Sequence, residues 1–587
     1  MSLKPEFAAL LQNNDAPSAS TILEVTESLK VPLNELQEVE AEIQRLDELM
    51  QTMKTKRQRI QKIIDDHNII LSPARRLPSD ILHEIFFHCL PTHHNPIMKS
   101  SEFPLLLTRI CSSWRAIALS SPRIWSKVYI PLPGDPSFSS GYGIITDEIA
   151  LSNRRQRFAS VMRLRCDAVR KWLSRSGTCP LSLSVTYPVY YSGIQDSRDD
   201  EFSHEMFSIL LLFADRWKDV DLSMPEDIYN KLQSDINPNM FSSLKSLKIA
   251  LYQDSHWDNT QPTPIRLLAA PALRRITICG IQTLHMTENL VQPIWNQITH
   301  ITFASSTTDI YLLVLLRQCF NLVFGKFIVN SSSWPPQTIM DQDAVLLPRL
   351  ESLAINDSGA HENMKIMFNA IKAPALTRLS YQLFNQRTPG DNSTIPLPAP
   401  VIPLLENSTH IGDLSLDGGL SSQDTWECLR RAERVTRIVF GKPPPTTASG
   451  HHLIHPLFTD PDAVRPDPFD LKILSIGSGA VTLLPRLEAL EAYYLSSLTD
   501  EDLLDMITSR INAFERGEAA ALKSVKIYFQ RPKQKDIIED VTRLAKKAGI
   551  EVKLDLTYLP EGNRFFDRLS PSFGFTSNDD MWSSAMI

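Results

Sequence analysis

Leu244-Lys245-Ser246-Leu247-Lys248-Ile249 places apolar side chains at its first, fourth and sixth positions. The alternation from Leu247 onward is the period of a short strand with one buried side. The leading leucine turns in from the connection before it. The same pattern restarts at Leu273, Ile298, Leu350, Leu376, Ile411, Val435, Leu471 and Leu522. A weaker copy starts at Trp217, and a degenerate one lies around 322–329. Each unit exposes apolar surface that only its neighbours can cover, so the units have to stack into an array.

The pattern resembles the strand core of a leucine-rich repeat, and most starts recur at roughly the 20–29-residue period of that family or somewhat beyond it. The asparagine that follows the strand in regular repeats is mostly missing, and unit lengths vary. Pro-rich insertions at 387–403 and 442–468 interrupt the series. The likeness is thus to an irregular array, and it implies an α/β solenoid over residues 145–560. Helices are expected as connections at 310–319 and 364–371. A closing helix is expected at 536–547, capped by Gly549, before a last strand at 550–558 and a C-terminal tail at 561–587. Parallel strands would line a concave face. Lys248, Arg275, His300, Arg378, Ser380, Asp413, Arg437 and Lys526 point outward from it in this reading. Their mixture of small, hydroxylic and oppositely charged groups suits a protein target, whose identity the sequence does not give.

Upstream, residues 72–128 form a small all-α unit. Leu77-Pro78-Ser79-Asp80-Ile81-Leu82-His83-Glu84-Ile85-Phe86-Phe87-His88-Cys89-Leu90-Pro91 reads as one bounded helix. Pro78 suits the first helical position and Asp80 the positive end of the dipole. Ile81, Leu82, Ile85, Phe86 and Leu90 make an apolar stripe, and Pro91 stops the helix. A second helix carries Ile110, Trp114 and Ile117. Pro122 ends it, and Trp125 follows. Two short helices with so much apolar surface bury themselves poorly, so a partner is expected.

This segment resembles the F-box through Leu77-Pro78, the acid Asp80, the run to Leu90, Ile110-Cys111, Trp114-Arg115 and Trp125. The resemblance covers about a tenth of the chain. It implies docking to the Skp-family adaptor of a cullin–RING ubiquitin ligase, through Leu77, Pro78, Ile81, Leu82, Ile85, Phe86, Leu90, Trp114 and Trp125. Which of these are contact and which are core stays open, and Cys111 is expected to be a buried thiol. The array would then hold a target for ubiquitination, or the chain would act as an F-box scaffold without that role. An enzyme with an unrecognised domain at 145–560 is the remaining alternative.

Ahead of the F-box-like segment, Leu36, Val39, Ile43, Leu46, Met50, Met53, Ile60 and Ile64 alternate three and four apart, with a lapse at Arg57. That is a heptad seam, and residues 32–70 are expected as one long helix. Residues 1–31 are expected as a flexible leader, with a break at Pro32. Pairing of two chains through 33–64 and folding back onto the same chain both stay open. A heptad helix running into Ser72-Pro73-Ala74-Arg75-Arg76-Leu77-Pro78 is similar to the layout of many fungal F-box proteins.

Net charge is −7, which argues against a nucleic-acid surface. No signal peptide or membrane span is legible. The seven cysteines are scattered without C-x-x-C spacing, as expected of a reduced, cytoplasmic or nuclear protein. Nucleophile elbow, P-loop, dinucleotide fingerprint and H-E-x-x-H are all missing. His451-His452-x-x-His455 and His93-His94 read as solvated loops. No catalytic residue, metal or cofactor is expected.

Overall fold

The computed structural model describes residues 11, 16–132, 147–187, 201–252, 265–279, 295–330, 344–357, 361–383, 399–417, 420–441, 470–477, 482–495 and 497–558. Most of the two Pro-rich insertions, the His451 cluster and the tail at 561–587 lie outside these residues. The chain divides into two compact units, Met1–Ile85 and Phe86–Ile587.

In the first unit a single helix runs over Ala19–Leu71. Its start is capped by Ser18, whose hydroxyl accepts from the Thr21 N–H at 3.2 Å. The flexible leader expected over 1–31 is therefore corrected from residue 19 onward, because the helix begins well before Pro32 and passes through it. Ile22, Val25 and Leu29 already carry the same spacing. Pro32 removes one N–H, but Ser28, whose carbonyl loses that bond, is exposed and open to water. No described residue of the helix is buried. A short 3-10 turn, Pro73–Arg76, precedes helix Ser79–His88. Pro78 stands one position earlier than expected: its carbonyl accepts from Leu82 N–H at 3.1 Å, which makes it the cap.

The second unit is an α/β assembly. Its strands are β1 (Lys127–Pro131), β2 (Leu181–Thr186), β3 (Trp217–Pro225), β4 (Ser246–Tyr252), β5 (Arg275–Cys279), β6 (His300–Thr308), β7 (Phe324–Asn330), β8 (Val345–Leu346), β9 (Ser352–Asp357), β10 (Ile371–Lys372), β11 (Arg378–Leu383), β12 (Asp413–Leu416), β13 (Arg437–Phe440), β14 (Ala489–Leu495), β15 (Ser524–Phe529) and β16 (Lys553–Thr557). Among the described residues, β8 and β10 pair with each other, and the other strands form one fourteen-stranded sheet in strict chain order. Neighbours are parallel throughout. Parallel neighbours need crossovers, and helices such as Asp309–Gln318, His361–Ala370 and Asp500–Glu515 supply several of them.

The leading residues of the units share one hydrogen-bond device. The Lys245 carbonyl accepts the N–H groups of both Arg274 and Arg275. Arg274 does the same for Thr299 and His300, Glu351 for Thr377 and Arg378, and Glu488 for Lys523 and Ser524. One carbonyl serving two donors locks each strand's entry to the previous one. Beyond it, Leu247, Ile276, Ile301, Leu353, Leu379, Leu414, Ile438, Leu490 and Val525 form a buried row. Gly325 takes the β7 place in that row, where a Cβ would lie 2.7 Å from the Phe327 ring.

Two expectations about the array need correction. The sheet starts at β1, ahead of the expected start at residue 145 and overlapping the end of the helical unit at 127–128, because Lys127–Pro131 pairs with Leu181–Thr186. Leu471–Leu474 is a 3-10 turn and not a strand. The sheet passes directly from β13 to β14, where Leu487, Leu490 and Ala492 hold the pattern. Alanine in the third apolar place hid that unit.

Candidate docking surfaces

Helix Ser79–His88 is built from a stripe that the structure divides. Leu82 and Phe86 are buried, as is Leu90 just beyond the helix, whereas Leu77, Ile81 and Ile85 are exposed, Ile81 at 45%. Pro78 is exposed as well. Ile81 and Ile85 are four apart on the helix and so fall along one side of it, whereas Leu77 lies in extended backbone just before the helix. Leu82, Phe86 and Leu90 thus fall on the core side of a division that the sequence left open. Burial of each contributes roughly 1.5–3 kcal/mol to the fold, which leaves none of them free to meet an outside protein.

In the second unit, Phe86 meets the half-exposed Trp114 at 5.0 Å between ring centroids. Trp125 is fully buried and also falls on the core side. Its N–H donates to the Ala118 carbonyl, and its ring edge meets Trp172. Ile110 and Leu119 are exposed. Cys111 is exposed too, contrary to expectation, because it caps helix Ser112–Leu119: its sulfur accepts from Trp114 N–H at 3.4 Å. Sequence reasoning placed it inside the motif without seeing that a cap lies outside the helix barrel.

The open side of the sheet carries the expected outward residues in register. One row runs Asp219, Ser246, Arg275, His300, Phe324, Ser352, Arg378, Asp413, Arg437. The next holds Asp221, Lys248, Thr277, Thr302, Lys326, Ala354, Ser380, Ser415. Several charges in these rows are taken. Lys248 pairs with Asp221 at 2.8 Å and Arg275 with Asp219 at 3.2 Å. Arg437 reaches Asp413 at 3.1 Å and Glu491 at 2.7 Å. Lys526 lies 3.9 Å from Asp555. Burial alone would raise the Glu491 carboxyl, but Arg437 and the Tyr493 hydroxyl hold it below its ordinary value.

The middle of the sheet differs. His300 stacks on Phe324 at 5.9 Å, and partial burial with nearby Arg275 lowers its pKa, favouring the neutral ring. Arg378 and Lys326 are exposed and have no ion-pair partner among the described residues. Lys326 and Phe324 were missed in the sequence because Gly325 replaces the leucine that would have indexed their strand. Among the described residues, no group of three or more His, Cys, Asp or Glu is placed to hold a metal, and no helix is long and apolar enough to cross a membrane.

No family model matches this sequence, and no curated protein matches it either.

Proposed function

We propose that the chain is the substrate-recognition subunit of a Skp–cullin–F-box-type ubiquitin ligase. The observation that carries this reading is the divided helix Ser79–His88. It spends Leu82 and Phe86 on the fold and leaves Ile81 and Ile85 in solvent, with Leu77 exposed just ahead of it. A row of branched apolar side chains held outward on a helix is costly unless a partner covers it. The residues around it are those that resemble the F-box. In the second unit, taken by itself, Ile110 and Leu119 are exposed and Trp114 is half-exposed, which leaves them open to an outside protein.

The parallel strands in chain order and the repeated two-donor carbonyl support a leucine-rich-repeat solenoid as the target-binding part. Its strands' open side is the target face. Catalysis then comes from tethering: a target lysine is held at high effective concentration near a ubiquitin carrier brought by the rest of the ligase.

The test is recovery of the Skp adaptor on the full chain and on an Ile81→Glu/Ile85→Glu variant. Both positions are exposed, so folding is expected to persist. The variant should lose the adaptor. Equal recovery by a folded variant overturns the reading.

A further inference from the structure

The long N-terminal helix carries a seam that no described residue buries. Because the helix starts at Ala19, the three-four spacing runs without a slip from Ile22 to Leu71. Only Pro32, Arg57 and His67 interrupt its apolar character. Leu36, Ile43, Leu46 and Ile60 on this seam are each about half exposed. Seams sustained beyond three or four heptads pair with another helix.

We propose that the seam pairs with that of a second copy of this chain, antiparallel, with Val25 of one helix opposite Leu71 of the other. The inference is independent of the ligase reading. Two features of the helix select the occupant and its direction.

The first is the fate of the interrupting residues. A parallel, in-register pair would stack Arg57 on Arg57 and His67 on His67. The antiparallel register sets Arg57 opposite Val39, near Glu38, Glu40 and Glu42, and His67 opposite Leu29. Pro32 then faces Ile64. Every layer from 25 to 71 keeps at least one aliphatic member, over roughly 70 Å of helix.

The second is charge. Positions flanking the seam are acidic upstream, at Glu35, Glu40, Glu42 and Asp47, and basic downstream, at Lys54 and Lys56. In a parallel pair these flanks would set Glu35 against Glu40 and Glu42 against Asp47. In the antiparallel register Glu40 meets Lys54 and Glu42 meets Lys56, each twice by symmetry, against a single Asp47–Asp47 clash. Glu42 also pairs with Arg45 in its own helix at 2.7 Å. That contact is exposed, so it is weak enough to be exchanged.

The test is sedimentation equilibrium on the full chain, with circular dichroism to confirm that helix is retained. Wild type should be a dimer. Lys54→Glu/Lys56→Glu and Glu40→Lys/Glu42→Lys should each weaken self-association by about tenfold or more, and an equimolar mixture of the two should restore it. Parallel pairing predicts the opposite for Glu40→Lys/Glu42→Lys, which would strengthen. That result, or a wild type that stays monomeric at every concentration, overturns the proposal.

Discussion

The indole N–H of Trp125 donates to the carbonyl of Ala118 at 2.8 Å, and its ring meets that of Trp172 edge-on at 4.9 Å between centroids. The bond satisfies a helix-end carbonyl, and the ring contact fastens helix Glu148–Arg175 to the segment before the sheet. Arg175 closes over the same ring at 4.8 Å. Trp125 therefore holds the second unit together and is closed to any partner.

Opposite outcomes follow for two kinds of apolar residue in the F-box-like segment. Trp125→Ala should remove about 3–5 kcal/mol of stability from this part of the fold. Ile81→Glu, at an exposed site, should stay within about 0.5 kcal/mol. Thermal melting followed by circular dichroism separates them: a clear drop for Trp125→Ala, and almost none for Ile81→Glu. A comparable drop for both would mean that Ile81 is part of the core.

If the open side of the sheet is the target face proposed above, binding there should depend on the cations that have no ion-pair partner among the described residues. Charge reversal at Arg378 and Lys326 should cost a captured target at least about tenfold in affinity. Lys248→Ala should cost much less, since Asp221 already occupies Lys248. Proximity labelling with these two variants, scored on the same set of captured proteins, gives the comparison. Loss with Lys248→Ala and none with the Arg378/Lys326 reversal would move the target face elsewhere.

The sequence showed most of the sheet because burial on one side forces alternation, and leucine, isoleucine and valine advertise it. It failed where the inner residue is small. Ala492 hid β14, and Gly325 left β7 as only a degenerate copy. At Gly325 the Phe327 ring does the filling. Leu471, Leu474 and Ile476 offered a false strand, since the pattern records burial and cannot tell a buried turn from a buried strand. The helical unit failed differently. Its stripe Ile81, Leu82, Ile85, Phe86 was legible, but the split between core and surface depends on which neighbours arrive, and spacing does not encode that. The pairing of the outward charges was also out of reach. Arg275 reaches Asp219 across an intervening strand, a contact set by register and not by proximity in the chain.

The C-terminal end of the array should be acid-sensitive. Asp500 is buried and accepts from Arg531 at 3.0 and 3.3 Å, from the N–H groups of Gln534 and Lys535 at 2.8 and 2.9 Å, and from the Tyr558 hydroxyl at 2.9 Å. Burial pushes the carboxyl up, but Arg531 and the other donors outweigh it and hold the carboxyl below its ordinary value. A lowered folded pKa gives stabilisation that is full above about pH 4 and is lost as the pH falls through the folded value. The melting temperature should therefore drop more steeply on acidification in wild type than in Asp500→Asn, which should already be destabilised at neutral pH. Parallel curves for the two proteins would assign the acid sensitivity to other carboxylates.

Arg510 should be needed for the false strand's actual conformation. Its guanidinium is buried and has no carboxylate partner among the described residues. It donates instead to the carbonyls of Leu474 at 2.9 Å, Leu483 at 2.8 Å and Leu484 at 3.2 Å. Burial pulls its pKa down to about 10, so the group stays charged at neutral pH. Leu484 sits at φ 51°, in the left-handed region that leucine avoids, and one of these bonds restrains it. Removing the fork takes the side-chain donor from all three carbonyls; Leu484 keeps the Leu487 N–H at 3.1 Å, and the carbonyls of Leu474 and Leu483 are left at about 1–3 kcal/mol for each one unmet. Relief from burying a charge offsets part of this. Arg510→Leu should therefore speed amide exchange over 471–477 and 482–495, with strands β3 to β5 unchanged. Arg510→Lys, which cannot reach three carbonyls in one plane, should give an intermediate pattern. Unaltered exchange near Leu474 and Leu484 in Arg510→Leu would show that apolar packing alone holds the turn.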